Sequence, residues 1–423
     1  MPDACLFDPV RAPSGRLGGG LAHVWPRGLA SCIVRTFVAP APSLDAIFID
    51  EVVSGDANKA GDENRCVTRM AFASVVLPLS APGSTMDGLG GSSMDAAIVA
   101  SPQVVSGDAE LVLLGGVVSL SRGPWLARRP AKPFPSTDAT LMNTVCGWRL
   151  ENPWMPTEWT VSLGEATEQF AEVHGISRET PDNLAARSHG QTTPWECGAY
   201  GDPFTPVSGT GLIRDESLIP DPTPETLSGL GPIFCDPSSG STVTARNASL
   251  TIDGAAEMWL GSNEAAQRLG RPLARNAGRG PSSNDPGCFE IAPVEAVNLA
   301  SQRACTGGDD VGALELNESF PMKSLACLDE WPVYGEIVNE WGGAIASGAR
   351  SVHVMGSFLA KDGRCKVLPA CAYPATGVHC ACSIHTERAV FDVVQGWPRI
   401  REVFRTRTAE VEAPLDPSIT IVR

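Results

Sequence analysis

One apolar stretch constrains the fold more than any other feature of this chain. Residues 110–118, Glu-Leu-Val-Leu-Leu-Gly-Gly-Val-Val, run without polar alternation and are bounded on both sides by turn-forming residues. A strand open to water on one face alternates apolar and polar side chains. A run without alternation belongs to a strand covered on both faces, the situation of a parallel sheet between helix layers. Just ahead of it, Ser92 to Val105 read as a helix that stops at Ser106-Gly107-Asp108, and residues 46–53 read as another strand. Strand, helix and strand in this order predict an α/β fold.

From about residue 123 to 240 the pattern changes. Proline, tryptophan and polar residues increase, and only residues 162–190 keep a helical period. This stretch is expected to be an excursion from the core. After Ala255 alternation resumes, with a helix near 263–269, a strand near 311–316, helices near 319–330 and 347–360, and a strand near 378–386. The chain has 423 residues, which suggests two or three packed units.

Composition narrows the function classes. Hydrophobic residues make up 43% and charged ones 19%, so a large core can form. The net charge of −16, without a run of Lys or Arg, argues against a nucleic-acid partner. No window approaches the 18 or so apolar residues of a membrane span. Thirteen cysteines without regular spacing point to a reducing compartment, and a cytoplasmic location is expected.

Several segments carry a family resemblance, in family order. Val10-Arg-Ala-Pro-Ser-Gly-Arg16 resembles VRTPxGR, and residues 58–71 resemble NQAGEDNRNVARMA. Gly115-Gly-Val-Val-Ser-Leu-Ser-Arg122 resembles GGVESMSR, with Val118 in place of the glutamate. Gly147-Trp-Arg149, Asn247-Ala-Ser249, Asp253-Gly-Ala-Ala256, Asn317-Glu-Ser-Phe320 and Gly342-Gly-Ala-Ile-Ala346 follow. Over about residues 4 to 388 the chain resembles the thiolases, acyl-coenzyme A acyltransferases, and in particular their degradative, oxoadipyl-CoA type. The resemblance implies the thiolase fold: two similar βαβαβαββ halves forming a five-layered α-β-α-β-α core, with an inserted loop domain. The expected division is 1–122 plus about 241–268 for the N-terminal half and 123–240 for the insertion. The C-terminal half would be 269–388, with an extension at 389–423.

Thiolases place a nucleophilic cysteine at a helix N-terminus, where the helix dipole favours the thiolate. Their motif is about LCxSGMDA. Here it reads Leu89-Gly-Gly-Ser-Ser-Met-Asp-Ala96, and the nucleophile position is Gly90. Glycine has no side chain with which to attack a thioester. The family histidine of GHPxG is missing as well, because Ala346 runs directly into Ser347-Gly-Ala-Arg350. The resemblance leaves Asn317 as the amide that holds an oxyanion-hole water, Cys371 as the C-terminal acid/base cysteine, and Ser249 beside the coenzyme A pantetheine. Tyr373 stands where the cysteine motif has glycine. Pro102 inside the predicted 92–105 helix would kink it and suggests relaxed shaping of that site.

Each of these residues also has a plainer reading. Cys371 could be a small buried hydrophobe, and Asn317 a cap for the following helix. Ser92 and Ser93 read as helix caps rather than substitute nucleophiles, since a serine needs an adjacent base. His379, Cys380, Cys382 and His385 look like metal ligands, but strand alternation sends the cysteines and histidines to opposite faces, so no metal is expected. His353 reads as a packed histidine. Trp148, Trp154 and Trp159 could line an acyl pocket, but filling the core of the insertion is the simpler use.

Three functions follow from these residues. The first is an acyl-CoA-binding thiolase-like protein without ordinary thiolysis or Claisen condensation, with coenzyme A or acyl-CoA as ligand. The second is an active enzyme with altered carbon–carbon chemistry, aldolase-like or by non-covalent acyl transfer, using Cys371, Tyr373 and Asn317. The third is a non-catalytic structural or oligomerisation partner. Family analogy adds a homodimer or homotetramer, or a hetero-oligomer with an active enzyme.

Overall fold

The computed structural model describes residues 3–38, 49–58, 61–75, 79–145, 147–196, 205–219, 222–236, 241–270, 272–331, 337–340, 342–347, 366–372 and 379–385. The first half contains β1 (Cys5–Arg11), β2 (Gly15–Arg16), α1 (Pro26–Val38), β3 (Glu51–Gly55), α2 (Val67–Ala73), β4 (Gly83–Met86), α3 (Ser92–Ser106) and β5 (Leu111–Ser119). The insertion carries a hairpin of β6 (Trp125–Ala127) and β7 (Leu141–Asn143), then α4 (Leu163–Val173), α5 (Glu179–Glu196) and α6 (Pro224–Ser228). The remainder is β8 (Ile252–Gly261), α7 (Ala266–Leu269), β9 (Ala274–Arg279), α8 (Ala292–Ala304), β10 (Val311–Leu316), α9 (Pro321–Glu330), α10 (Ala344–Ser347), β11 (Lys366–Ala372) and β12 (His379–His385).

The strands form one mixed sheet in the order β10-β11-β12-β9-β1-β8-β5-β3-β4, with β2 beside β8. The apolar run that opened the sequence analysis is β5, parallel to β3 and antiparallel to β8. Both its faces are covered. Leu111, Leu113 and Val117 pack with Leu29 and Ile33 of α1 and Val67 and Phe72 of α2. Val112 and Leu114 pack with Met94, Ala96, Ala100 and Val104 of α3. The same cluster takes in Ala274 of β9 and Ala313 of β10, so the sheet curls and its two halves share α3 as a middle layer. On the far side α8 and α9 close over Leu314 and Leu316. The layers are therefore helix, strand, helix, strand, helix, as the resemblance implied.

Several expectations shift. The helix expected over 162–190 is two helices, broken at His174 and Gly175, where Gly175 takes φ +63°. A capping box between Ser162 and Glu165 sets the first of them. The helix near 263–269 shrinks to Ala266–Leu269. The strands near 311–316 and 378–386 form as Val311–Leu316 and His379–His385. Of the helix expected at 347–360 only Ser347 is described, and His353, Tyr373 and residues 389–423 lie outside the described residues.

Pro102 does not interrupt α3, which runs continuously from Ser92 to Ser106. The proline lies on the exposed face, where water can serve the carbonyl it leaves without a donor, and the Ser101 hydroxyl donates to Ala97 O at 2.6 Å. Relaxed shaping of the site therefore does not follow from this residue. The insertion tryptophans do not build a core either: Trp154 is 68% exposed and Trp159 39%. Trp148 is half-buried and donates to Val161 O. The insertion takes its apolar support from shared clusters, with Ala166 against Val243, Phe289 and Phe320, and Ala185 and Leu227 against Ile345.

One ion pair ties the insertion to the sheet. The Arg11 guanidinium donates to both oxygens of Asp215 at 2.8 and 2.9 Å, and Ser14 N donates to the same carboxylate at 2.7 Å. The two side chains are 3% and 0% exposed. Removing one partner from such a pair leaves a buried charge uncompensated. Asp215→Ala is expected to cost about 3–5 kcal/mol in urea unfolding, whereas Arg268→Ala, in the half-exposed pair with Glu110, should cost under about 1 kcal/mol.

Candidate functional site

Position 90 lies in a turn that the sheet holds from below. Leu89–Gly91 form one 3-10 turn leading into α3, with Leu89 at φ +54°, a conformation a branched residue adopts only under constraint. The Ser92 hydroxyl supplies that constraint by donating to Leu89 O at 2.5 Å and accepting from Gly88 N at 3.1 Å. Ser92 therefore closes the turn, while the N-cap itself is Gly91 without a side-chain cap, which corrects the capping reading. Ser93 is no cap either. A Cβ on Gly116 would come within 1.9 Å of its hydroxyl, so Ser93 is pressed onto the sheet. Gly55 is as tight: a Cβ there would lie 2.3 Å from Ser93 N. Gly90 itself is exposed at the N-terminal end of the helix.

The C-terminal half brings two further residues to this place. β10 and β11 run parallel with Leu316 opposite Ala370, so Asn317, just past β10, and Cys371, in the last two residues of β11, lie at the same level. β11 also lies against the Leu89–Gly91 turn. Gly90, Asn317 and Cys371 thus gather at the ends of neighbouring elements. Asn317 does not cap α9, whose N-cap is Phe320 without a side-chain bond. Cys380 sits across from Cys371 in the β11–β12 register. The histidines and cysteines of β12 have no described side chains, and the other described residues hold no group of three metal-ligating side chains.

Around Asn317 the loops are locked by buried polar contacts. Glu318 accepts from the Ser188 hydroxyl at 2.7 Å, from Asn339 Nδ2 at 2.7 Å and from Ile345 N at 3.3 Å. Asn339 also bonds Leu316 through both its amide atoms, at 2.7 and 2.9 Å. Gly343 N donates to the Ser188 hydroxyl at 2.9 Å, joining α5 of the insertion to the Gly342–Ala346 segment. Ser249 bridges two of these loops, with its N donating to Ser319 O at 3.0 Å and its hydroxyl to Ala344 O at 3.3 Å.

The sequence reading missed two buried ionisable residues, one of which holds Asn317. Lys323 is 0% exposed and its Nζ donates to Asn317 O at 2.7 Å. Burial pushes the Glu290 carboxyl up to about 8, against the pull of the nearby Lys323 charge and the Thr167 hydroxyl. Burial likewise pushes the Cys327 thiol up to about 12. A signal existed, because Lys323 falls one helical turn before Cys327 on the face that α9 buries.

Comparison with known proteins agrees with this architecture. Residues 5–264 match the family model for the thiolase N-terminal domain, and 270–384 that for the thiolase C-terminal domain. The chain belongs to the thiolase family. A β-ketoadipyl-CoA thiolase of Pseudomonas putida is 36% identical over 381 residues, covering 86% of this chain and 94% of that protein. The 3-oxoadipyl-CoA/3-oxo-5,6-dehydrosuberyl-CoA thiolase of Escherichia coli K12 is 37% identical, covering 82% and 89%. The crystal structure of the Bacillus anthracis acetyl-CoA acetyltransferase superimposes with a TM-score of 0.82 at 28% identity, covering 91% of this chain and 99% of that one. The human mitochondrial 3-ketoacyl-CoA thiolase in complex with CoA gives 0.82 at 25%, covering 91% and 98%.

In this thiolase-family chain the buried Glu290 carboxyl sets a pH response. The folded Glu290 holds its proton up to about pH 8, whereas the unfolded chain releases it near the ordinary 4.5. The folded state binds more protons across that window, so this group lowers stability as pH rises from about 4.5 to 8. Glu290→Gln is expected to flatten that decline when unfolding free energy is measured across the window.

Proposed function

We propose that this thiolase-family protein binds an acyl-coenzyme A at the Gly90 turn and does not form an acyl-enzyme. The observation that carries this reading is the turn itself. Leu89 is strained, Ser92 closes the turn, and Gly55 and Gly116 seat it on the sheet, while position 90 bears no atom that could attack a thioester. Ser92 and Ser93 are held by the turn and the sheet and offer no replacement. The N-terminus of α3 lies beside position 90, where the helix dipole would favour negative charge on a bound oxygen. Asn317 would hold a water or thioester oxygen from the other side, and Ser249 would lie along the pantetheine arm. The oxoadipyl-CoA relatives suggest a 3-oxoacyl-CoA as the ligand class.

A second reading is favoured by the shared level of Asn317 and Cys371. An amide donor beside a thiol acid/base can stabilise and protonate an enolate without covalent catalysis. In that case the protein is an active enzyme with altered carbon–carbon chemistry, using Cys371, Tyr373 and Asn317. A homodimer, a homotetramer or a hetero-oligomer with an active thiolase, in the cytoplasm, fits either reading.

Acetyl-CoA or coenzyme A in about hundredfold excess over its Kd should stabilise the protein by roughly 2.7 kcal/mol, read as a rise in Tm. Labelled acetyl-CoA should leave no adduct after denaturation, and Gly90→Cys alone should not produce thiolysis. No shift with either ligand would leave only a structural role. A covalent adduct mapped to this pocket would overturn the proposal. Turnover of a 3-oxoacyl-CoA that is abolished by Tyr373→Phe would select the second reading.

A further inference from the structure

A lysine buried to 0% exposure demands an explanation, because an ammonium taken out of water costs several kcal/mol unless it is paired. Lys323 stands in the first turn of α9 and reaches back six residues to donate to Asn317 O at 2.7 Å. The Glu290 carboxyl, also 0% exposed, lies in the segment Pro286–Ile291 ahead of α8, close enough to feel the Lys323 charge. One turn further along α9, the Cys327 thiol donates to Glu290 O at 3.2 Å. The helix therefore holds the Glu290 segment at one point and the Asn317 carbonyl at another. Glu318, the next residue, is gripped by three donors, and Ser319 O takes Ser249 N. Three consecutive residues are pinned, and the backbone that aims the Asn317 side chain has little freedom.

We infer that Lys323 is a positioning residue that fixes the direction of Asn317 by anchoring its carbonyl from beneath. This rests on reading Asn317 as the amide that faces the thioester. A buried charge suits the task better than a neutral donor alone. Any rearrangement that broke its contacts would leave an ammonium unsatisfied in the core, so competing conformations of the turn are strongly disfavoured.

The test uses two neutral pairs in the full-length protein. Lys323→Met with Glu290→Gln removes the donor without stranding a charge, and Lys323→Gln with Glu290→Gln restores an uncharged donor. Amide hydrogen exchange of the peptide over residues 316–322 is measured without ligand, with the peptide over β5 as the control for general loosening. Acetyl-CoA binding is measured by calorimetry on the same samples. The Met/Gln pair should exchange about tenfold faster at 316–322 with β5 unchanged, and should bind acetyl-CoA about tenfold more weakly. The Gln/Gln pair should recover most of both.

Unchanged exchange at 316–322 in the Met/Gln pair would overturn the inference. So would equal loosening of β5, failure of the Gln/Gln pair to recover, or undiminished acetyl-CoA binding. Should the Met/Gln pair not fold, the Gln/Gln pair decides alone: wild-type exchange at 316–322 upholds the anchor, and fast exchange rejects it. If the exchange pattern appears as expected but the wild-type protein binds no acetyl-CoA, the anchor stands and the acyl-CoA reading falls.

Discussion

The close contact between the first turn of α3 and the sheet is the constraint on which this molecule depends. Gly55 and Gly116 leave no room for a Cβ against Ser93, and that absence lets the helix settle directly on β3 and β5. Seating α3 there fills the space between the two halves of the curled sheet, because its inner residues meet β5 and β8 on one side and β9 and β10 on the other. The same contact delivers the Leu89–Gly91 turn to the place where β10 and β11 end. Fold and site therefore share one seat, and a side chain at either glycine would disturb both.

The polar interior around Asn317 follows a different logic from the apolar layers. Glu318, Asn339, Ser188 and Lys323 are all buried, and each is held by specific partners instead of by area. Such groups add little net stability compared with apolar packing, but they exclude alternative arrangements of loops that have no regular structure of their own. The insertion takes part in this through Ser188 on α5 and is clamped again by Arg11 and Asp215. An excursion with little core of its own is thus fixed to the body at polar points. That explains why Trp125, Trp154 and Trp159 can remain at the surface.

Legibility in the sequence followed physical cause. β5 and β10 were readable because both are nearly continuous apolar runs. β1 was not, because Asp8 and Pro9 interrupt its pattern. The structure absorbs them in an irregularity between Phe7 and Val10, with Asp8 at φ +44°, and a bulge is where a strand tolerates proline. β8 was hidden by Asp253-Gly254, which reads as a turn, and by Glu257, a carboxyl pushed well up by burial, though Ser54 hydrogen-bonds to it. That carboxyl fits only because its neighbour across the ladder is Gly115, where a Cβ would meet it at 2.4 Å. Asn317, Cys371 and the vacancy at Gly90 came from motif resemblance. Lys323 escaped notice because a charge on a buried helix face has meaning only once its partner, the Asn317 carbonyl, is in place.

The placement of β1 has a consequence for the order in which the protein can be made. Its partners are β8 and β9, residues 252–261 and 274–279, so β1 waits for strands made long after it before it can pair as it does in the fold. At about 5–20 residues per second, that wait is on the order of 10–50 s. During it Leu6 and Phe7, both later sealed in the core, remain uncovered. The seam between the halves, where β1 meets β9, therefore closes late in biosynthesis.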